Sequence, residues 1–178
     1  MGRIYGKPII TQEEIQRRIR ELGQRITLDY EGRPLILVGV LKGAFAFHSD
    51  LARAIRLPLK IDFLVVSSYG SRGHSSGVVK IISDLTEKIE GQHILLVEDI
   101  VDSGLTVSYL KKSLLVRKPK SIKACTLLNK PERRKTEVSI EYVGFTIPNH
   151  YVVGYGLDYE NKYRNLPYIA VLDVSDQG

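Results

Sequence analysis

Between Leu95 and Thr106 the chain reads Leu-Leu-Val-Glu-Asp-Ile-Val-Asp-Ser-Gly-Leu-Thr, an apolar run that meets two adjacent carboxylates, then a third, then a small polar turn. A helix opening at Ser103, Gly104, Leu105 and Thr106 presents backbone N–H groups that have no acceptor inside the helix, two hydroxyls and the positive end of its dipole. That set suits a phosphate monoester. Just upstream, Glu98 and Asp99 supply acceptors for the hydroxyls of a vicinal diol and hard oxygens for magnesium, directly or through its water. Either half alone is ordinary, because strand ends and helix caps are commonly polar. Joined at this spacing, they point to one ligand carrying phosphate, diol and metal. A P-loop is excluded because no glycine-spaced Gly-Lys-Ser/Thr pattern occurs, and a dinucleotide fingerprint because no Gly-x-Gly-x-x-Gly follows the first strand.

Such a turn needs a buried strand to carry it and a helix to follow it, and the sequence offers several of each. Thr11 with Glu14 three residues on makes a capping box, and Ile15, Ile19, Leu22 and Ile26 recur at three- and four-residue steps as one buried stripe. Four apolar runs follow, Leu35 to Val40, Ile61 to Ser67, Ile94 to Val97 and Ile122 to Leu128, without strict alternation, as parallel strands covered on both faces would be. Helical segments are predicted from Ala44 to Ile55 and from Thr106 to about Arg117, with a hairpin inserted around Tyr69 to Gly77. The fold class is therefore α/β, an open, mostly parallel twisted sheet flanked by helices, whose ligands bind at the carboxyl ends of the strands.

With 178 residues, 43% of them apolar, the chain is read as one domain over residues 1–178. No apolar run long enough to span a bilayer and no secretory signal is found, so a cytoplasmic location without membrane partners is expected. Cys125, the single cysteine, lies in an apolar run and is assigned to core packing. A net charge of +6 fits either a nucleic-acid surface or the handling of small polyanions. The densest basic cluster, Lys130, Arg133, Arg134 and Lys135, has no interleaved aromatics, and most of it is expected to face water.

The strand, the acids and the Asp-Ser-Gly-x-Thr turn resemble the signature of the type I phosphoribosyltransferases, enzymes that use phosphoribosyl pyrophosphate (PRPP). Four further segments, in the family's order and spread from about Leu37 to Asp173, are similar to its hypoxanthine-guanine branch. In Val40-Leu41-Lys42-Gly43 the resemblance implies a pyrophosphate-binding turn with a cis Leu41–Lys42 peptide. Ser67 to Gly77 looks like a catalytic lid, a hairpin over about residues 67–80, with Ser68 and Tyr69 closing on pyrophosphate and His74 incidental. Lys130, in Leu128-Asn129-Lys130-Pro131, resembles the lysine that donates to the 6-oxo group of a purine, which would select hypoxanthine and guanine over adenine. In the segment Tyr151 to Arg164, Tyr151 would stack on the base, Val152 would read its edge, Asp158 would help hold a second magnesium, and Arg164 would reach pyrophosphate. The family often has Phe where Tyr151 stands, so its hydroxyl needs a partner or water.

The resemblance further implies a hood from about residues 1–12 and 146–170, Mg2+ as cofactor, PRPP and a 6-oxopurine as substrates, purine salvage to IMP or GMP as the role, and a homodimer or homotetramer. Asp102, next to the phosphate turn, is placed to exchange a proton with the imidazole-ring nitrogen of the purine, as general base. Two alternatives stay open: a xanthine- or pyrimidine-preferring relative, and an RNA-binding regulator on the same scaffold, which a pI near 9.4 permits.

Overall fold

A computed structural model describes residues 3–4, 8–69 and 78–173. Strand β1 (Arg3–Ile4) precedes helix α1 (Gln12–Asp29), which starts at the expected capping box. The Glu14 N–H donates to Thr11 Oγ1 at 3.2 Å, and the Thr11 N–H donates to Glu14 Oε2 at 2.8 Å. Its stripe of Ile15, Ile19, Leu22 and Ile26 is buried. Next come β2 (Leu35–Leu41), α2 (Phe45–Ala54), β3 (Lys60–Tyr69), β4 (Val78–Ser83), β5 (His93–Val101), α3 (Leu105–Leu115) and β6 (Ser121–Asn129). A 3₁₀ turn at Pro131–Arg133, β7 (Tyr142–Thr146), β8 (Val152–Val153) and β9 (Ala170–Asp173) complete the chain.

Six strands form the main sheet in the order β4-β3-β2-β5-β6-β7, all parallel except the β3–β4 pair. Order reverses between β2 and β5, where consecutive crossovers run to opposite sides. Their carboxyl ends therefore part to leave a crevice. Successive side chains of these strands enter different cores. Leu35, Leu37, Leu95 and Val97 join α1 and α2, whereas Ile36, Val38, Ile94 and Leu96 join Leu110 and Leu114 of α3. Both faces are covered, which is why the runs read as continuously apolar. Cys125 is fully buried in the first of these cores, as expected.

Three expectations change. The strand expected to stop before the acids continues through them. Glu98 pairs with Thr126, and Ile100 and Val101 pair with Leu128 and Asn129 of β6, although pairing with β2 ends at Val97. Hydrogen bonding on one side thus extends β5 four residues beyond its apolar stretch, and the acids stand at its open side. Strand β3 is not covered on both faces, since Ile61 and Phe63 are 49% and 40% exposed. A further parallel strand, β7, had no readable apolar run, because Tyr-Val-Gly-Phe-Thr is short and mixed. Its pairing with β6 supplies what composition does not.

Segments near the two ends meet in a small antiparallel sheet of order β1-β9-β8 above the carboxyl ends. Residues 70–77, with His74 and the tip of the expected lid hairpin, lie outside the described residues, as do the side chains of Ser68 and Tyr69. Among the described residues no helix is long and apolar enough to cross a membrane.

Leu96 is fully buried between the sheet and α3, two residues before Glu98. Leu96→Ala should destabilise the fold by about 2–5 kcal/mol, read as a Tm lowered by roughly 2–4 °C per kcal/mol in a thermal melt.

Candidate active site

Glu98 is buried, 6% exposed, and its Oε1 has no hydrogen-bond partner among the described residues. Asp99 keeps partial access to solvent and accepts from the Ile100 N–H at 2.8 Å. Its Oδ2 lies 1.8 Å from where a Cβ on Gly43 would stand. The turn after β2 therefore touches the carboxylate backbone-on, and only glycine permits that approach. The Leu41–Lys42 peptide in this turn is cis.

Past β5, Ser103 Oγ accepts the Leu105 N–H at 3.3 Å, while its carbonyl receives the N–H groups of Lys135 and Thr136 at 2.9 and 3.3 Å. Gly104, at φ 81°, turns the chain into α3. The loop is held from outside, and the first-turn amides of α3 have no acceptor within the helix.

Beside it opens a cleft of about 240 Å³ lined by Asp99, Ile100, Asp102, Lys130, Arg133, Tyr151, Val152, Leu157 and Asp158. Six of these nine are residues singled out from the sequence; Ile100, Arg133 and Leu157 are additions. Ile100 and Leu157 form apolar walls. The spacing between the acids and Asp102 could have flagged Ile100, whereas nothing in the sequence marks Leu157. Arg133 and Lys135 are exposed, as expected of most of the basic cluster, yet Arg133 also lines the cleft. Its Nε lies 3.3 Å from Asp102 Oδ1, an ionic contact without hydrogen-bond alignment. Arg134, only partly exposed, donates to Asn129 Oδ1. The 3₁₀ turn at Pro131–Arg133 is what swings these side chains back over the strand end.

Lys130 is 6% exposed and donates to the His150 carbonyl. Burial lowers its pKa, opposed by the nearby Asp102. Tyr151 is half exposed, sets its ring edge-on to Tyr159 at 5.8 Å, and donates its hydroxyl to the Asp158 carbonyl at 3.3 Å. That carbonyl is the partner the hydroxyl required. Val152 is buried in β8.

Lys42, Gly43 and Arg164 do not line the cleft but border it. Arg164 pairs with Asp158 at 2.8 Å and donates to the Gly156 carbonyl at 2.7 Å and to Asn161 Oδ1 at 3.1 Å. Asp158 in turn accepts the Asn161 N–H at 2.8 Å. Backbone positions of Ser68 and Tyr69 pair with Val79 and Val78 on β4.

A family model described as a phosphoribosyl transferase domain matches residues 9–160. The hypoxanthine-guanine phosphoribosyltransferase of Mycobacterium avium is 54% identical over 93% of this chain and 84% of its own length. The bifunctional TilS/HprT protein of Listeria monocytogenes is 53% identical over 93% of this chain, but the match spans only 26% of that protein. A hypoxanthine-guanine phosphoribosyltransferase structure from Bacillus anthracis superposes with a TM-score of 0.91 at 46% identity, covering 96% of this chain and 100% of that one.

Burial, with Asp99 adding to it, pushes the Glu98 carboxyl well above the usual range, and burial pushes Asp99 up to about 6 against the pull of the Ile100 amide. Both groups bind a proton more tightly folded than unfolded. Their contribution to stability is thus present below the ordinary carboxyl range and is lost as pH rises through about 6. In the ligand-free protein, Glu98→Gln and Asp99→Asn should each raise Tm at pH 7.5 by roughly 2–4 °C, a gain that shrinks toward pH 5. A Tm lowered at pH 7.5 in both variants would contradict this reading of the pair.

Proposed function

The chain belongs to the phosphoribosyl transferase family and, within it, to the hypoxanthine-guanine phosphoribosyltransferases, and from that membership we propose that it salvages purines. It joins hypoxanthine or guanine to the phosphoribosyl group of PRPP, giving IMP or GMP and releasing pyrophosphate. The observation that carries the reading is the convergence of Asp102, Lys130, Tyr151 and Val152 on one cleft beside the buried acids. Relatives named for hypoxanthine and guanine leave the xanthine- or pyrimidine-preferring and RNA-regulator alternatives without support.

In this reading the amides and hydroxyls of Ser103, Gly104, Leu105 and Thr106 hold the 5-phosphate, and Glu98 and Asp99 accept from the ribose hydroxyls. The base enters between Tyr151 and the apolar walls, Ile100 and Leu157. Lys130 exchanges the His150 carbonyl for the purine 6-oxo group. Adenine presents an amino donor at that position and would leave the ammonium unpaired. Asp102 takes the proton from the imidazole-ring nitrogen while the other ring nitrogen attacks the anomeric carbon. Leu41, Lys42, Gly43, Arg164 and the lid residues Ser68 and Tyr69 receive the departing pyrophosphate and keep water out.

The residues present fit magnesium. The buried Glu98 Oε1 lacks a partner. Among the described residues no three ligating side chains gather into a complete cage, as suits an ion that keeps waters and substrate oxygens. Glu98 and Asp99 would hold one ion and Asp158 would help hold a second, and bound there they would neutralise charge developing on the leaving group.

We further infer a cytoplasmic enzyme that self-associates as a homodimer or homotetramer. Support for self-association is the apolar groove formed by Leu41, Phe45, Ile61 and Phe63, with Phe45 45% exposed.

Pyrophosphate release from PRPP and magnesium should be rapid with hypoxanthine and guanine, and slow with adenine and uracil. Equal rates with adenine would refute the role of Lys130. Asp102→Asn should lower kcat by about a hundred- to ten-thousand-fold with little change in PRPP affinity; near-normal turnover would remove Asp102 as the base. Lys130→Ala should raise the KM for hypoxanthine by about tenfold or more, and an equal loss of PRPP binding would count against it as a base reader.

A further inference from the structure

Tyr155 takes no place in the cleft, yet it is 6% exposed and stands at φ 51° between Gly154 at φ 102° and Gly156 at φ 101°. Three consecutive left-handed residues, the central one bulky, persist only where the surroundings determine them. Two anchors do so. The Tyr155 hydroxyl donates to Asp50 Oδ2 in α2, and Gln16 Nε2 of α1 donates to the same oxygen at 2.8 Å. Arg53 completes the set at Asp50 Oδ1. On the backbone side, the Tyr155 N–H donates to Leu166 O at 2.8 Å and the Gly156 N–H to Arg164 O at 3.0 Å.

Helix α2 begins two residues after Gly43, and a Cβ on Gly156 would stand 2.0 Å from the Gly43 carbonyl oxygen. The same short unit, the Lys42–Gly43 turn with α2, thus grips the 154–157 turn twice, once backbone to backbone and once through Asp50. That turn links Tyr151 and Val152 on one side to Leu157 and Asp158 on the other, four of the residues that line the cleft.

We infer that Asp50 and Tyr155 are positioning residues that lock the base-binding turn to the Lys42–Gly43 turn, so that the purine and the leaving group are held in one mutual geometry. The inference rests on the cleft being the purine site. Without the hydroxyl bond the 154–157 turn keeps its backbone contacts but loses its tie to α2, and the base is held less closely while the phosphate turn at Ser103 is untouched.

The test compares Tyr155→Phe, Asp50→Leu, the double variant and Asp50→Asn with the unaltered enzyme. Steady-state rates with hypoxanthine are measured alongside Tm and backbone hydrogen exchange of the ligand-free protein. Tyr155→Phe should raise the KM for hypoxanthine by about tenfold, as loss of a bond to a charged acceptor would, with kcat changed far less. Asp50→Leu should do the same, and the double variant should match either single rather than multiply them. Asp50→Asn, which keeps an acceptor, should return to within about threefold. Exchange should quicken at Gly154 to Leu157 and also at Ala44 and Phe45, beyond the Gly43 contact.

A lowered Tm with the KM for hypoxanthine unmoved would overturn the inference, as would multiplicative effects or unchanged exchange at Ala44 and Phe45. Asp50→Leu attacks the bond from its other end and serves where Tyr155→Phe does not fold. Should the unaltered enzyme release no pyrophosphate with hypoxanthine, the purine reading fails, and the exchange comparison still decides whether the two turns are coupled.

Discussion

Two consecutive carboxyl groups stand near the end of the central strand, that of Glu98 buried and that of Asp99 pressed by the backbone of Gly43. Their burial disfavours the folded protein at neutral pH unless charge or hydrogen bonds are brought to them. The surrounding architecture serves that demand. Strand β5 holds its pairing with β6 beyond the point where β2 leaves it, so that Glu98 and Asp99 are rigid on one side and open on the other. The crevice between β2 and β5 follows from the reversal of strand order, and the Lys42–Gly43 turn closes it with peptide rather than side chain.

Three cations at the crevice are already engaged within the protein. Lys130 donates to the His150 carbonyl, Arg133 lies against Asp102, and Arg164 pairs with Asp158. In the proposed function, a substrate bearing phosphates and a keto group would replace these contacts rather than fill a void. Groups already oriented by internal partners need little reorganisation when charge develops nearby, which is the condition under which electrostatic stabilisation is strongest. Arg133 differs in that its ionic contact with Asp102 lacks hydrogen-bond alignment.

Backbone strain is concentrated in the segment that carries Tyr151, Val152, Leu157 and Asp158 into the cleft. Tyr155, Glu160, Asn161 and Tyr163 all have positive φ, together with Gly154 and Gly156. Regular secondary structure cannot supply that path, so it is held from outside by α2 through Asp50 and by the Gly43 carbonyl, and from within by Arg164 bonded to Gly156. The inferred coupling between the leaving-group and base sites would run through that support.

By itself the sequence determined the α/β class, the capping box at Thr11, the buried stripe of α1, the strand that ends in acids and the turn into α3. Each of these rests on interactions within a few residues or on the burial period of one element, and resemblance of four spaced segments carried Lys42, Lys130, Tyr151, Asp158 and Arg164. Only the tertiary structure decided how far β5 runs, that β7 joins the sheet, that Ile61 and Phe63 remain exposed, and that Arg133, Ile100 and Leu157 complete the cleft. Asp50 and Tyr155 meet across 105 positions of chain, and nothing local to either signals the other. Contacts of that kind arise where a helix and a distant turn converge, and their geometry is set by packing of the whole rather than by the pattern of any one segment.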